Sequence, residues 1–144
     1  MNRIYYAHPK VFYGTDAEKK NLRLIRSRFP ESRILNPRRY QNFAYDRRIM
    51  SHYRDLVDNC DVVVFSRLRK NITAGVGKEV NHAIRRGLSV YEINHKGIVE
   101  VRKRVKHLNV KETRRLMRKY FPRTENSPRR GVIARVVSSP PRQS

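Results

Sequence analysis

Short apolar runs and helical stripes alternate along this chain. Ile4, Tyr5 and Tyr6 form a β-favouring run within Arg3 to Ala7, broken by His8-Pro9-Lys10. Gly14-Thr15-Asp16 then supplies a turn and an N-cap. Leu22, Ile25 and Phe29 share one helical face, and Pro30 ends that helix. Ile34-Leu35 reads as a second short strand closed by Asn36-Pro37, with an Arg- and Tyr-rich loop from Arg38 to Tyr45 behind it. From Asp46 a second helix places Ile49, Tyr53, Leu56 and Val57 at i, i+4, i+7 and i+8. Val62 to Phe65 is apolar throughout, the pattern of a strand buried on both faces. Val76, Val80, Ala83 and Ile84 return to helical spacing, Gly87 caps that helix, and Leu88 to Ile93 is the fourth strand.

The order β-α-β-α-β-α-β predicts an α/β fold, a Rossmann-like or flavodoxin-like parallel sheet sandwiched by helices, with a basic C-terminal helix and tail. Ile98 to Val101 is a candidate fifth strand. Asn109, with Glu112 three residues on, resembles a capping box opening a helix in which Leu116, Met117 and Tyr120 form a small apolar side. The pattern divides the chain into a core at 1–96, a basic strand and helix extension packed on it at 97–121, and a largely disordered basic tail at 122–144. Within that tail only Gly131 to Val137 is apolar enough to form a strand on some partner.

Composition adds the charge. The 144 residues hold 34 Lys and Arg against 12 Asp and Glu, a net charge of +22. Residues 96–144 carry 15 basic and 3 acidic residues, net +12 in about a third of the chain. Such a balance attracts polyanions, nucleic acid first among them. The candidate contacts are Arg67, Arg69 and Lys70 in the loop after the third strand, and Arg114, Arg115 and Arg118 on the last helix. Solvated surface charge is the plain alternative. A single cysteine, Cys60, excludes an internal disulfide and any Cys-based zinc cluster, and the five histidines show no metal spacing. No metal and no cofactor are expected. The start of the chain has no secretory core, and no stretch reaches the ~20 apolar residues of a membrane span, so the expected location is cytoplasmic.

Candidate chemistry collects around Thr73-Ala74-Gly75-Val76-Gly77-Lys78-Glu79. It follows the buried strand and opens a helix, the place where ligands sit in open α/β sheets. Backbone N–H groups at Thr73, Gly75 and Gly77 suit a phosphate, and Val76 lies between the two glycines. A carboxylate near a helix start is also what the helix dipole favours without any chemistry. His8, after the first strand, faces the same crevice and is either a phosphate contact or a plain loop histidine.

These residues also carry a resemblance. Gly75-Val76-Gly77-x-Glu79 after the Val62-Val63-Val64 strand, with Arg3-Ile4-Tyr5-Tyr6-Ala7-His8-Pro9 at the start, resembles the nucleoside 2-deoxyribosyltransferase-like enzymes, most nearly their 2′-deoxynucleoside 5′-phosphate N-hydrolase branch. The matching patches run from Arg3 to Asn94. The resemblance implies cleavage of, or transfer through, the N-glycosidic bond of a deoxynucleoside or deoxynucleotide. Glu79 would be the nucleophile at C1′ and Tyr5 the tyrosine that orients it, in a homo-oligomer whose neighbouring subunit completes the site. Thr73 stands where transferases of the family have a base-reading Asp, which favours a nucleotide substrate. Where the family has a further Asp, this chain has Tyr53. The nearest carboxylate, Asp55, is two residues on, about 200° round a helix. Asp55 is therefore a catalytic candidate. A non-catalytic nucleotide- or nucleic-acid-binding protein of the same fold is the alternative.

Overall fold

A computed structural model describes residues 2–39 and 49–121. The proposed helix start at Asp46, the loop 40–45 and the whole tail 122–144 lie outside the described residues. Five strands form one sheet: β1 (Arg3–Ala7), β2 (Arg33–Leu35), β3 (Val62–Ser66), β4 (Ser89–Asn94) and β5 (Gly97–Glu100). Four helices accompany them: α1 (Asp16–Arg28), α2 (Ile49–Asp58), α3 (Ala74–Arg85) and α4 (Val110–Tyr120). The strand order is β2-β1-β3-β4-β5, with β1 to β4 parallel. This is the flavodoxin-like order, whose direction reverses between β1 and β3.

The apolar run in β3 and the mixed run in β1 have one cause. Successive side chains leave a strand on opposite faces, and both faces of this sheet are covered. Tyr5, Ala7, Val63 and Phe65 pack with Val57 of α2 and with Val76, Val80 and Ala83 of α3. Ile4, Tyr6, Val62 and Val64 pack with Ile25 of α1 on the other face. Neighbouring tyrosines therefore enter different cores.

β5 departs from the parallel pattern. It pairs antiparallel with β4, Asn94 opposite Gly97, so only His95 and Lys96 connect the two. A two-residue link makes a hairpin, whereas a parallel return needs a crossover of a dozen residues or more. Gly97 sits at φ +109°, a conformation glycine accepts readily. α3 ends in a Schellman motif, with the Leu88 N–H on the Ala83 carbonyl and the Gly87 N–H, at φ +81°, on the Ile84 carbonyl.

Beyond β5 the chain turns back across α3. Buried Asn81 holds it at both backbone groups of Val105, donating to the carbonyl at 3.0 Å and accepting from the N–H at 2.8 Å. The Leu108 N–H donates to the Ile72 carbonyl. α4 then opens with the capping box its sequence predicts, Asn109 and Glu112 bonding each other's backbone N–H.

Candidate active site

The first strand and the helix that follows the third deliver a tyrosine and a glutamate to one point at the switch in strand order. Tyr5 is fully buried, and its hydroxyl donates to Oε2 of Glu79 at 2.9 Å. Glu79 is only 7% exposed. It is the sixth residue of α3, past the first turn, so the dipole of that helix end does not by itself account for a carboxylate here. Burial pushes its carboxyl up to about 7, with the Tyr5 bond acting in the opposite direction. Burial, and next the charge of Glu79, raise Tyr5 well above the usual phenol range, so it stays a donor.

Glu79 faces a cavity of about 260 Å³, with Tyr5 buried behind it. Its walls come from the loop after β1 (His8, Pro9, Lys10, Tyr13), from Pro37, from Tyr53 of α2, from Thr73, Gly75, Val76 and Glu79, and from Thr113 and Met117 of α4. Glu79 is the single carboxylate among the described residues lining it, and Lys10, exposed at the rim, the single Lys or Arg. Such a space suits a small polar ligand with an apolar ring, flanked by aromatic walls and one ionisable oxygen pair.

Not every residue singled out by the sequence arrives there. Asp55 lies exposed on α2, and its backbone carbonyl accepts from Asn59. Tyr53, two residues earlier and 5% exposed, takes the cavity side, because α2 turns its Tyr53 and Val57 stripe inward. Gly77 is also not in the cavity. Its N–H donates within the helix to the Thr73 carbonyl, and a Cβ built on it would collide with the His107 ring. Gly77 is thus a seat for the returning chain. Gly75, by contrast, is exposed with open space around its Cα. The Ala74 N–H, first of α3, is taken by Oγ1 of Thr113 at 2.9 Å. That leaves the Gly75 and Val76 N–H groups to complete the first turn beside the cavity. Thr73 is the buried N-cap and makes no side-chain capping bond.

His8 lines the cavity with its side chain fully buried. Its Nδ1 lies 3.0 Å from the Tyr6 carbonyl oxygen and its Nε2 2.9 Å from Glu18 Oε2, and its ring stacks on Tyr6. Both nitrogens are engaged in holding the loop. Glu18 is the hub of that loop, accepting also from the Gly14 N–H, Asn36 and Arg38. Burial raises its carboxyl, but the bonds from His8, Gly14 and Asn36 outweigh this and hold it at about 2. The spacing Thr15-x-x-Glu18 is that of a capping box, the signal by which this residue is legible in the sequence. Only the Thr15 half forms, because the Glu18 carboxylate takes the Gly14 N–H instead. Lys10, Tyr13, Pro37, Thr113 and Met117 carry no comparable local signal.

The basic loop after β3 is elsewhere. Arg67, Arg69 and Lys70 line a second depression with Lys20, Asn21 and the β4–β5 turn, and none of the three lines the Glu79 cavity. Arg67 grips Glu92 through two bonds and the Lys70 carbonyl through a third. Arg69 stacks over the Tyr120 ring at 3.9 Å. Arg114, Arg115 and Arg118 are exposed on α4.

Fold and site together define a class: an α/β protein of flavodoxin-like strand order with one buried, tyrosine-bonded carboxylate at the switch point of its sheet. No protein-family model matches the chain, and no curated protein matches its sequence. Among solved structures it is similar to a conserved protein from Enterococcus faecalis V583, at 23% identity over 64% of this chain and 62% of that one, TM-score 0.48. It is also similar to a 2-desoxiribosyltransferase from Leishmania mexicana, at 16% identity over 84% of this chain and 99% of that one, TM-score 0.47. At TM-scores below 0.5 neither likeness assigns a reaction, and the chain spans less than two thirds of the Enterococcus protein. Among the described residues no helix is long and apolar enough to cross a membrane.

Proposed function

We propose that the chain cleaves, or transfers through, the N-glycosidic bond of a deoxynucleoside or deoxynucleotide, with Glu79 as nucleophile. The observation that carries the reading is the Tyr5–Glu79 pair: a buried carboxylate, oriented by a phenol at 2.9 Å, on the wall of a partly aromatic cavity. In its ionised form the Glu79 oxygen attacks C1′ as the base departs with the bonding electrons, giving a glycosyl-enzyme ester. Water, or a second base in a transfer, then displaces Glu79. Tyr5 fixes the attacking carboxylate and favours its charged form. The sugar lies against Val76 and Gly75, and a 5′-phosphate reaches Lys10 and the first-turn N–H groups of α3.

One observation favours a second reading. A two-carboxylate glycosidase keeps one acid to protonate the leaving group, and Glu79 is the single carboxylate among the described cavity residues. A nucleotide-binding protein without catalysis needs no second acid. In the enzyme reading that acid is a phenol of the cavity or a group from a second copy of the chain. The test is chromatography of the full chain incubated with each deoxynucleoside and its 5′-monophosphate, with and without an acceptor base. The enzyme reading expects free or exchanged base from the wild type and none from Glu79→Ala. Release from no substrate, with a deoxynucleotide nevertheless bound, establishes the binding reading.

A further inference from the structure

Neither reading of the Glu79 cavity uses the charge of the C-terminal extension. From Arg102 to Lys119 there are nine Lys and Arg and one carboxylate, Glu112. All nine are exposed. Glu112 is committed to its capping box, and Arg102 pairs with Glu100. Along α4, Lys111, Arg114, Arg115 and Arg118 stand three or four residues apart, so like charges face one another on the helix surface. Each such pair costs about 0.2–0.5 kcal/mol. Folding alone gives no reason for that arrangement.

The patch is also continuous. The depression holding Lys20 and Arg69 shares Arg67 and Lys70 with a second one, lined by Lys106, Leu108 and Glu112, that reaches the start of α4. A cationic track thus runs from the β4–β5 turn, past the loop after β3, onto α4. We infer that this track binds the phosphodiester backbone of nucleic acid. A regular row of phosphates matches a row of fixed cations, and release of condensed counter-ions drives the association. An anionic membrane surface fits less well. A helix that lies on lipid inserts its apolar side, whereas Leu116 and Met117 are half-buried against the protein and Arg69 covers the Tyr120 ring. Among the described residues the exposed aromatics near the track are Tyr120, stacked under Arg69, and Phe121, both at the end of α4. Most of the contact is therefore to backbone and largely indifferent to base sequence.

The experiment is fluorescence anisotropy of the full chain with a labelled duplex of about twenty base pairs, at roughly 50 and 200 mM salt. Affinity should fall with salt, and duplexes of unrelated sequence should bind alike. Arg114→Gln with Arg115→Gln and Arg118→Gln keeps helix propensity nearly unchanged. It should weaken binding at the lower salt and make the log–log slope shallower by about 2 to 3. If that variant loses its helical circular dichroism, Lys103→Gln with Arg104→Gln and Lys106→Gln replaces it, with the same expectation. The inference falls if the full chain does not bind at the lower salt, or if the folded variant keeps the wild-type affinity and slope. Capture by phosphatidylserine vesicles without duplex binding overturns it in favour of a membrane surface. Assay of the variants on deoxynucleotides keeps this result separate from the chemistry of Glu79.

Discussion

The Tyr5 hydroxyl, on the first strand, and the Glu79 carboxylate, on the helix after the third, meet at 2.9 Å across 74 residues of sequence. Because burial raises Glu79 to about 7 from 4.5, its nucleophilic form appears only as pH rises through about 7. A base-release rate should therefore climb with a midpoint near pH 7. Tyr5→Phe removes the one bond that lowers this value, so the midpoint should move up, and each unit of that rise costs roughly fivefold or more in rate at pH 7. A rate–pH profile of the two proteins reads both effects.

Stability should carry the opposite signature. Between pH 4.5 and about 7 the unfolded chain has lost the Glu79 proton while the folded chain keeps it. Folding therefore weakens as pH rises through that window, by about 3 kcal/mol in total. Glu79→Gln, which cannot ionise, should flatten this part of the curve. Urea melts at pH 5 and pH 8 compare the proteins directly.

Glu18 works with the other sign. Its carboxyl is held at about 2, so its contribution is complete above about pH 4.5 and is lost as pH falls through 2. Glu18→Gln removes the charge facing Arg38 and His8 and should cost about 3 kcal/mol at pH 7. Below pH 2 the variant and the wild type should converge in stability. Thermal melts across acid pH show whether the gap closes.

The two glycines of the motif should behave as different residues. Gly77→Ala drives a methyl group into the His107 ring and should destabilise by about 1–3 kcal/mol, with the 101–109 segment displaced. Gly75→Ala meets nothing within 4 Å and should leave stability unchanged or raise it by up to about 1 kcal/mol. Its methyl group projects beside the cavity, so ligand affinity should fall. Paired denaturation and binding measurements separate the two outcomes.

Thr113→Val keeps the shape of the side chain and removes the acceptor of the Ala74 N–H. A loss of about 1 kcal/mol is expected, the usual magnitude for a helix cap. Hydrogen exchange at the Ala74 amide should quicken, and amides in the middle of α3 should not.

Much of this was legible from local pattern. The short apolar runs and helical stripes located the five strands and four helices, because both faces of the sheet are covered and each helix turns one stripe inward. Thr15, Gly87 and the Asn109–Glu112 pair announced their caps, since capping is short-range chemistry. The orientation of β5 needed the length of its connection rather than its apolar pattern. Asp55 and Gly77 were read toward the cavity because type and spacing do not report rotation about a helix axis, or what a distant segment covers. Thr113 and Met117 were invisible for the same reason. They reach the site through the path of 101–109 back over α3, which Asn81 and the space at Gly77 determine.

That return path has a consequence for the chain while it is being made. A ribosome delivers residues in order, and N-terminal parts fold first. Tyr5 and Glu79 can meet as soon as β3 and α3 have emerged, yet the wall formed by Thr113 and Met117 is still inside the exit tunnel or unmade. At that stage the carboxylate stands open to water, and the Ala74 N–H lacks its partner. The raised pKa of Glu79 comes chiefly from burial, so in the nascent core, with that wall missing, it should lie closer to the ordinary carboxylate range. Glu79 reaches its full burial only when the last described helix arrives.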